Sequence, residues 1–304
     1  MRQAQRHTLD GISFRLFSDP DLSWLQRYGK AFVIIDQTGS GCVCFGMDDG
    51  ITKRFVKVAG LDTIHAEIDP ERSIETLKKA VDVYKSLEHP HLITLLDDFS
   101  IDHGYVAVFE WACGSCLFEH WNFDQYRNGK PDPRKRFRML PAEKKLCAAE
   151  VLFSFLEHVA QRGYVAVDFY DGSLIYDFEK DTLKICDIDL FEKEPLINTI
   201  GKDFWGTKRL KAPEEYEKGA VIDERTNEFT LGALLFDFFG QYTTEQIRAR
   251  YQNARFVPCA LKNWSLGPHS YKVVCRAVDP DPDRRYKTIA LFHEAFKNAV
   301  EKER

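Results

Sequence analysis

Apolar and polar positions along residues 31–59 fall into three short runs. "AFVIID", "CVCFG" and "RFVKVA" read as strands, and "QTGSG" and "MDDGIT" between them carry the Gly, Asp and Ser that mark turns. The period then changes. In "PERSIETLKKAVDVYKSLEH", Ile74, Leu77, Val81, Tyr84 and Leu87 recur at helical spacing, with Pro70 at the start and His89-Pro90 at the end. "HLITLLDDFS" and "GYVAVFEW" read as two further strands. From Gly114 onward helices dominate. "AEKKLCAAEVLFSFLEHVAQRG" predicts a long amphipathic helix, "NEFTLGALLFDFFG" is apolar nearly all round and predicts a buried one, and "IALFHEAFKNAVEK" predicts a terminal amphipathic helix. Short strands are expected over 165–190. The expectation is an α+β chain: an N-terminal surface extension over 1–30, a small β-rich lobe over 31–112 and a larger helical lobe over 113–304.

Composition narrows the classes. The 304 residues are 44% hydrophobic and 29% charged, with a net charge of −5, which describes a soluble globular chain and lacks the basic excess of a duplex-binding protein. No run of 18 apolar residues predicts a membrane span, and "MRQAQRHTLDGISF" has no apolar core like a signal peptide's. The eight cysteines are therefore read as reduced thiols of a cytoplasmic protein. Cys113 and Cys116 form a CxxC without a second pair at zinc spacing. The sequence gives no oligomeric state.

Several stretches carry candidate chemistry. "TGSGCVCFG" is a glycine-containing turn between strands, able to cradle a phosphate or simply to close a hairpin. Lys57 sits inside an apolar strand, a poor place for an unpaired ammonium. In "VAVDFYDGSLIYD", Asp168 follows a short apolar strand; in "LKICDIDLF", 19 residues on, Asp187 does the same and Asp189 follows. Two strand-end carboxylates can divide labour, one orienting a hydroxyl and the other holding magnesium. The basic loop "FDQYRNGKPDPRKRFRML" could dock an acidic partner or lie solvated.

In order and spacing these segments resemble a eukaryotic-type (Hanks-like) serine/threonine protein kinase from about residue 31 to about 300. The resemblance implies a bilobal protein-kinase-like fold, with ATP and Mg2+ as cofactors and a serine or threonine of a protein as acceptor. It implies Asp168 as the base, and Lys57 as the lysine holding ATP phosphates. The nucleotide would be lined by Gly39, Gly41, Val43, Glu75, Glu110, Ala112 and Ile175, with Phe109 as gatekeeper. Magnesium would be held by Asp187, with Ser173 and Asp189. "GTKRLKAPE" resembles the end of an activation segment, whose Thr207 and Ala212-Pro213-Glu214 favour a protein acceptor, and Arg285 is implied as the partner of Glu214.

The pattern also departs from the family. Ala166-Val167 replace the His-Arg before the base, Tyr170 the lysine two after it, and Ser173 the metal-binding asparagine. Asp36 and Thr38 stand where the first two loop glycines belong, and Phe55 stands where an alanine would roof the adenine. Asn227 replaces the central-helix aspartate. Asp171 or Asp189 could add charge at the metal. The helix carboxylate is Glu75 by one count, while another count lands on Ala80. Two alternatives therefore stand beside an active protein kinase: a pseudokinase that binds without turnover, and a small-molecule kinase of aminoglycoside-phosphotransferase type.

Overall fold

The structure, a computed structural model, describes residues 3–119, 126, 129–253 and 255–304. It is α+β, β-rich in its N-terminal region and helical in its C-terminal region, consistent with a bilobal kinase-like fold. Two compact units divide it, residues 1–113 and 114–304.

The first unit is built on a five-stranded antiparallel sheet. Its strands are β3 (Lys30–Ile35), β4 (Val43–Asp48), β5 (Lys53–Ala59), β6 (Leu95–Ile101) and β7 (Gly104–Glu110), in the order β3-β4-β5-β7-β6. Alternation along the strands sends Val43, Phe45, Met47, Val56, Val58, Val106 and Val108 to one face, where they form a buried core. The other partners in that core come from residues expected at the surface. A hairpin of β1 (Gln5–Leu9) and β2 (Ile12–Leu16) supplies Phe14 and Leu16, and Leu25 follows from a 3-10 turn; all three are almost wholly buried. The hairpin turns on Asp10 and Gly11, both at positive φ, the backbone an Asp-Gly turn provides at little strain. The stretch 5–28 thus covers one face of the sheet.

Helix α1 (Pro70–Ser86) covers part of the other face. Asp69 caps it, accepting from the Arg72 N–H at 2.8 Å, and Pro70 opens the first turn. Leu77, Ala80, Val81, Val83 and Tyr84 are its buried apolar side chains, and the Tyr84 ring lies 4.7 Å from that of Phe109.

In the second unit, α3 (Ala142–Gln161) and α4 (Glu224–Phe239) pack together, joined by α6 (Pro268–Ala277) and α7 (Ile289–Glu301). Every residue of α4 from Thr226 to Phe239 is buried, its apolar run predicting the burial and carrying Asn227, Glu228 and Asp237 inside with it. Short strands β9 (Tyr164–Val165), β10 (Leu174–Asp177) and β11 (Thr182–Ile185) bracket two loops, 166–173 and 186–191. The basic stretch 123–140 behaves differently from a solvated loop where it is described. Its residues 123–125 and 127–128 lie outside the described residues. Beyond them Pro133–Arg138 form a short helix, α2, capped by Asp132, with Phe137 buried and Arg134 turned inward.

Candidate active site

Within the first unit, Lys57 is 8% exposed on the sheet face that α1 covers. The register pairs it with Cys44 on β4 and Ala107 on β7, and pairs Phe55 with Gly46 and Phe109. Residues opposite each other in an antiparallel pair share a face, so these six lie together. A Cβ at Gly46 would come within 2.5–2.9 Å of the side chains of Val33, Phe32 and Trp111, which would have to shift. Phe55 is half-buried, its ring 6.4 Å from Phe109 and 6.5 Å from Trp111.

The structure does not bring two of the expected nucleotide residues to that face. Val43 pairs with Val58, one step out of phase with Cys44–Lys57, so period-two alternation turns it into the opposite core beside Phe45. Glu75 is exposed. It lies two residues past the buried Ser73, about 200° around the helix, while Ala80 sits in the packed row. The count that lands on Ala80 is therefore the one that matches the packed face.

The glycine turn closes on the approach to α1. The carbonyl of Gly39 accepts from the Glu67 N–H at 2.9 Å. Gly41, at φ +72°, has Ser73 where its Cβ would point, 3.0 Å away. At the other end of the sheet Glu110 spends its N–H on the Thr94 carbonyl at 2.9 Å and its carboxylate on the Thr94 N–H at 3.1 Å. Ala112, just beyond β7, is half-buried.

The second unit brings the two strand-end carboxylates near one another. Asn227 of α4 holds the start of the 166–173 loop: its Oδ1 accepts from the Ala166 N–H at 2.7 Å, and its Nδ2 donates to the Tyr164 carbonyl at 3.2 Å. Val167 packs into an apolar cluster with Val165, Phe204 and Ile222. Phe169 is buried against Phe155 and Phe191. Asp168, fixed between these two anchors, takes φ +57°, and Asp187 takes φ +54°. Left-handed backbone costs a non-glycine residue roughly 1–2 kcal/mol, and such strain gathers at functional sites.

Asp168 is half-buried and accepts from Thr207 Oγ1 at 3.2 Å. Burial first, and the charge of Asp187 second, push its pKa up to about 7; Thr207 and Lys211 pull the other way. The two loops are tied directly, the Cys186 N–H donating to the Ser173 carbonyl at 2.9 Å. Ser173 Oγ is fully buried without a hydrogen-bond partner among the described residues, so it fits a role as ligand to a group the chain does not itself supply. Asp187 is exposed and Asp189 half-buried. Ile175, half-buried on β10, pairs with Cys116 and Lys184 and alternates with the buried Leu174 and Tyr176.

Asp171 is not free to add charge at a metal. It is 2% exposed and ion-paired with Arg134 Nε at 3.2 Å and with Arg209. Two residues outside the expected set stand close to Asp168. Lys211 and Glu215 line one small pocket with Asp168, Thr207 and Thr230. Lys211, 4% exposed, donates to the Phe204 carbonyl at 2.6 Å and lies 4.4 Å from the centre of the Tyr216 ring. The signal for it was the run "KRLK" before Ala212, where three cations flank one leucine; Lys208 faces out, and Arg209, Leu210 and Lys211 face in. Further along, Glu214 and Arg285 form the implied pair, bidentate at 2.6 and 2.9 Å and buried.

The β-rich unit carries a glycine turn and a buried strand lysine, and the helical unit carries two strand-end aspartates. No protein-family model matches the chain. Curated proteins do. It is 25% identical over 215 residues, 68% of this chain and 16% of the relative, to "Serine/threonine-protein kinase SIK3 homolog" of Danio rerio. It is 22% identical over 214 residues, 70% of this chain and 57% of the relative, to "Serine/threonine-protein kinase nekl-2" of Caenorhabditis elegans. It is 20% identical over 238 residues, 76% of this chain and 34% of the relative, to "Serine/threonine-protein kinase PrkC" of Bacillus subtilis (strain 168). The chain thus spans less than two thirds of the length of these relatives. The likenesses, at low identity and to several serine/threonine protein kinases, support a divergent member of the protein kinase family.

Proposed function

We propose that this chain transfers the γ-phosphoryl group of ATP to a serine or threonine hydroxyl of a protein. The observation that carries the reading is Asp168. Its carboxylate is held by Thr207, strained into place between two anchored neighbours, and poised near neutral pH. A base of that pKa is matched to receiving a hydroxyl proton. Asp168 orients the acceptor hydroxyl and takes its proton as the O–P bond forms. Lys57 holds the ATP phosphates. Gly39, Gly41, Glu110, Ala112 and Ile175 serve the nucleotide, with Cys44 in the place first expected of Val43. Asp187, Ser173 and Asp189 would hold magnesium, which when bound would neutralise phosphate charge. Residues 31–112 and 113–304 act as the two lobes of the kinase.

A second reading, the pseudokinase, draws on one observation: Glu75 lies off the Lys57 face. One experiment separates the two. Phosphate transfer from ATP to proteins, to aminoglycosides and to the chain itself is compared for wild type and Asp168→Ala, beside nucleotide binding. Transfer to protein should fall by on the order of 10² or more in Asp168→Ala, with ATP affinity little changed. Binding without turnover in wild type, with magnesium or manganese, would establish the scaffold reading instead.

A further inference from the structure

Four arginines from three elements converge on Asp237 of α4. Arg134 of α2 reaches it at 2.8 Å, Arg209 at 2.9 Å and Arg250 of α5 (Thr244–Asn253) at 3.4 Å, with Arg138 at 3.6 Å. Arg209 comes from the 190–214 segment. Its second Nη goes to Asp171, in the loop that carries Asp168. One buried guanidinium therefore ties three things: the end of the activation segment, the base-bearing loop and the central helix. Phe118 lies against it, 4.7 Å from the ring centre.

Neutralisation does not account for Arg209. Among the described residues, four guanidiniums meet two carboxylates, Asp171 and Asp237. Arg134 alone already touches both acids. The cations crowd one another: burial first, then Arg134 and Arg209, hold the Arg138 pKa below its ordinary value. What Arg209 adds is the link from the segment to the loop. In kinases switched by loop phosphorylation the arrangement runs the other way, with the cation on the base-bearing loop and the anion, a phosphate, on the segment. Here Val167 holds the place of that cation within an apolar cluster, and the cation stands on the segment.

We propose that Arg209 is a positioning residue, setting the segment against the Asp168 loop in place of a phosphate. The role rests on the proposed function. Three variants test it in the full chain: Arg209→Met, the isosteric Asp171→Asn, and the two combined. The measurements are kcat, KM for ATP, nucleotide affinity and thermal stability. Each single variant should lower kcat by about tenfold or more while nucleotide affinity stays within about threefold, because a misplacement of about 1 Å near the chemistry has effects of this size. The double variant should be no slower than the slower single, since both remove one link. Losses that multiply would overturn the proposal, as would an Asp171→Asn enzyme at the wild-type rate. Asp171→Asn keeps the shape of the side chain, so it decides the matter even where Arg209→Met fails to fold. A wild type without turnover would sink the proposed function and this role together; an active wild type with equally active variants would sink this role alone.

Discussion

At the scale of single residues, the site turns on how burial and neighbouring charge set Asp168. Its carboxyl titrates near 7 because burial and Asp187 disfavour the anion, while the Lys211 ammonium favours it. A base works only when ionised, so kcat should rise with pH through about 7 and level above it. Removing the Lys211 cation should push that limb to higher pH. We expect Lys211→Met to lose several-fold in kcat at pH 7, on the order of fivefold, and to recover at higher pH; a pH–rate profile of both proteins checks it. An unshifted limb would mean that Lys211 only supports the Phe204 carbonyl. Asp187 and Ser173 should differ in kind. A carboxylate holds a hard cation better than a hydroxyl does, so Asp187→Asn should weaken magnesium-dependent ATP binding more than Ser173→Ala. Calorimetric titration with and without magnesium measures it, and an equal magnesium effect in wild type and Asp187→Asn removes Asp187 from the metal site.

At the scale of elements, the 190–214 segment is held at several points without a phosphate. Its first turn pairs β12 (Glu192–Lys193) with β9, directly before the Asp168 loop. Next, β13 (Leu196–Ile197) pairs with β14 (Val221–Ile222). Asn198, fully buried, caps the turn by accepting from the Gly201 N–H at 2.7 Å. Thr207 and Arg209 fasten the end. With these ties made and Val167 in an apolar cluster, activity should not require phosphorylation of Thr199 or of any other residue in 190–206. Phosphatase treatment should leave the rate within about twofold, since no new charge-assisted bond is lost; a tenfold loss with a phosphosite mapped to the segment would refute this. The element pattern itself was open to sequence reasoning because periodicity reports burial. It failed where burial depended on distant partners. Residues 5–28 alternate too weakly to announce a sheet cover, and the inward turn of Arg134 follows from Asp237, 103 positions away.

At the scale of the whole chain, the ordered set of motifs was legible because each was a local string, and the resemblance it carried implied roles for Lys57, Asp168, Asp187, Glu214 and Arg285. Face assignments were not. Val43 was taken as the reference from which the loop glycines were counted, but the strand register decides which face it takes, and that is set by pairing with Val58. Arg209 and Lys211 drew no assignment from the sequence, because nothing local shows which groups they meet. The same blindness hid the buried acids that tune stability. Glu228 on α4 is fully buried, and burial pushes its pKa up to about 8 from 4.5. Asp168 moves in the same direction, to about 7 from 3.8. A raised folded pKa means that the folded state keeps its proton while the unfolded chain loses it. The stabilising contribution is therefore complete below the unfolded pKa and is lost as pH rises through the folded value. Asp237 has the opposite sign, held low by its four arginines against burial, but its contribution is lost only in acid below the ordinary carboxylate range. Between pH 5 and 8 the raised groups set the trend, and Glu228→Gln should remove part of it. The variant should gain little at pH 5 and on the order of a few kcal/mol at pH 8.5, seen as a melting temperature that falls less steeply with pH than the wild type's. Parallel melting curves across that range would show that the Glu228 carboxyl ionises in the fold as readily as in the unfolded chain.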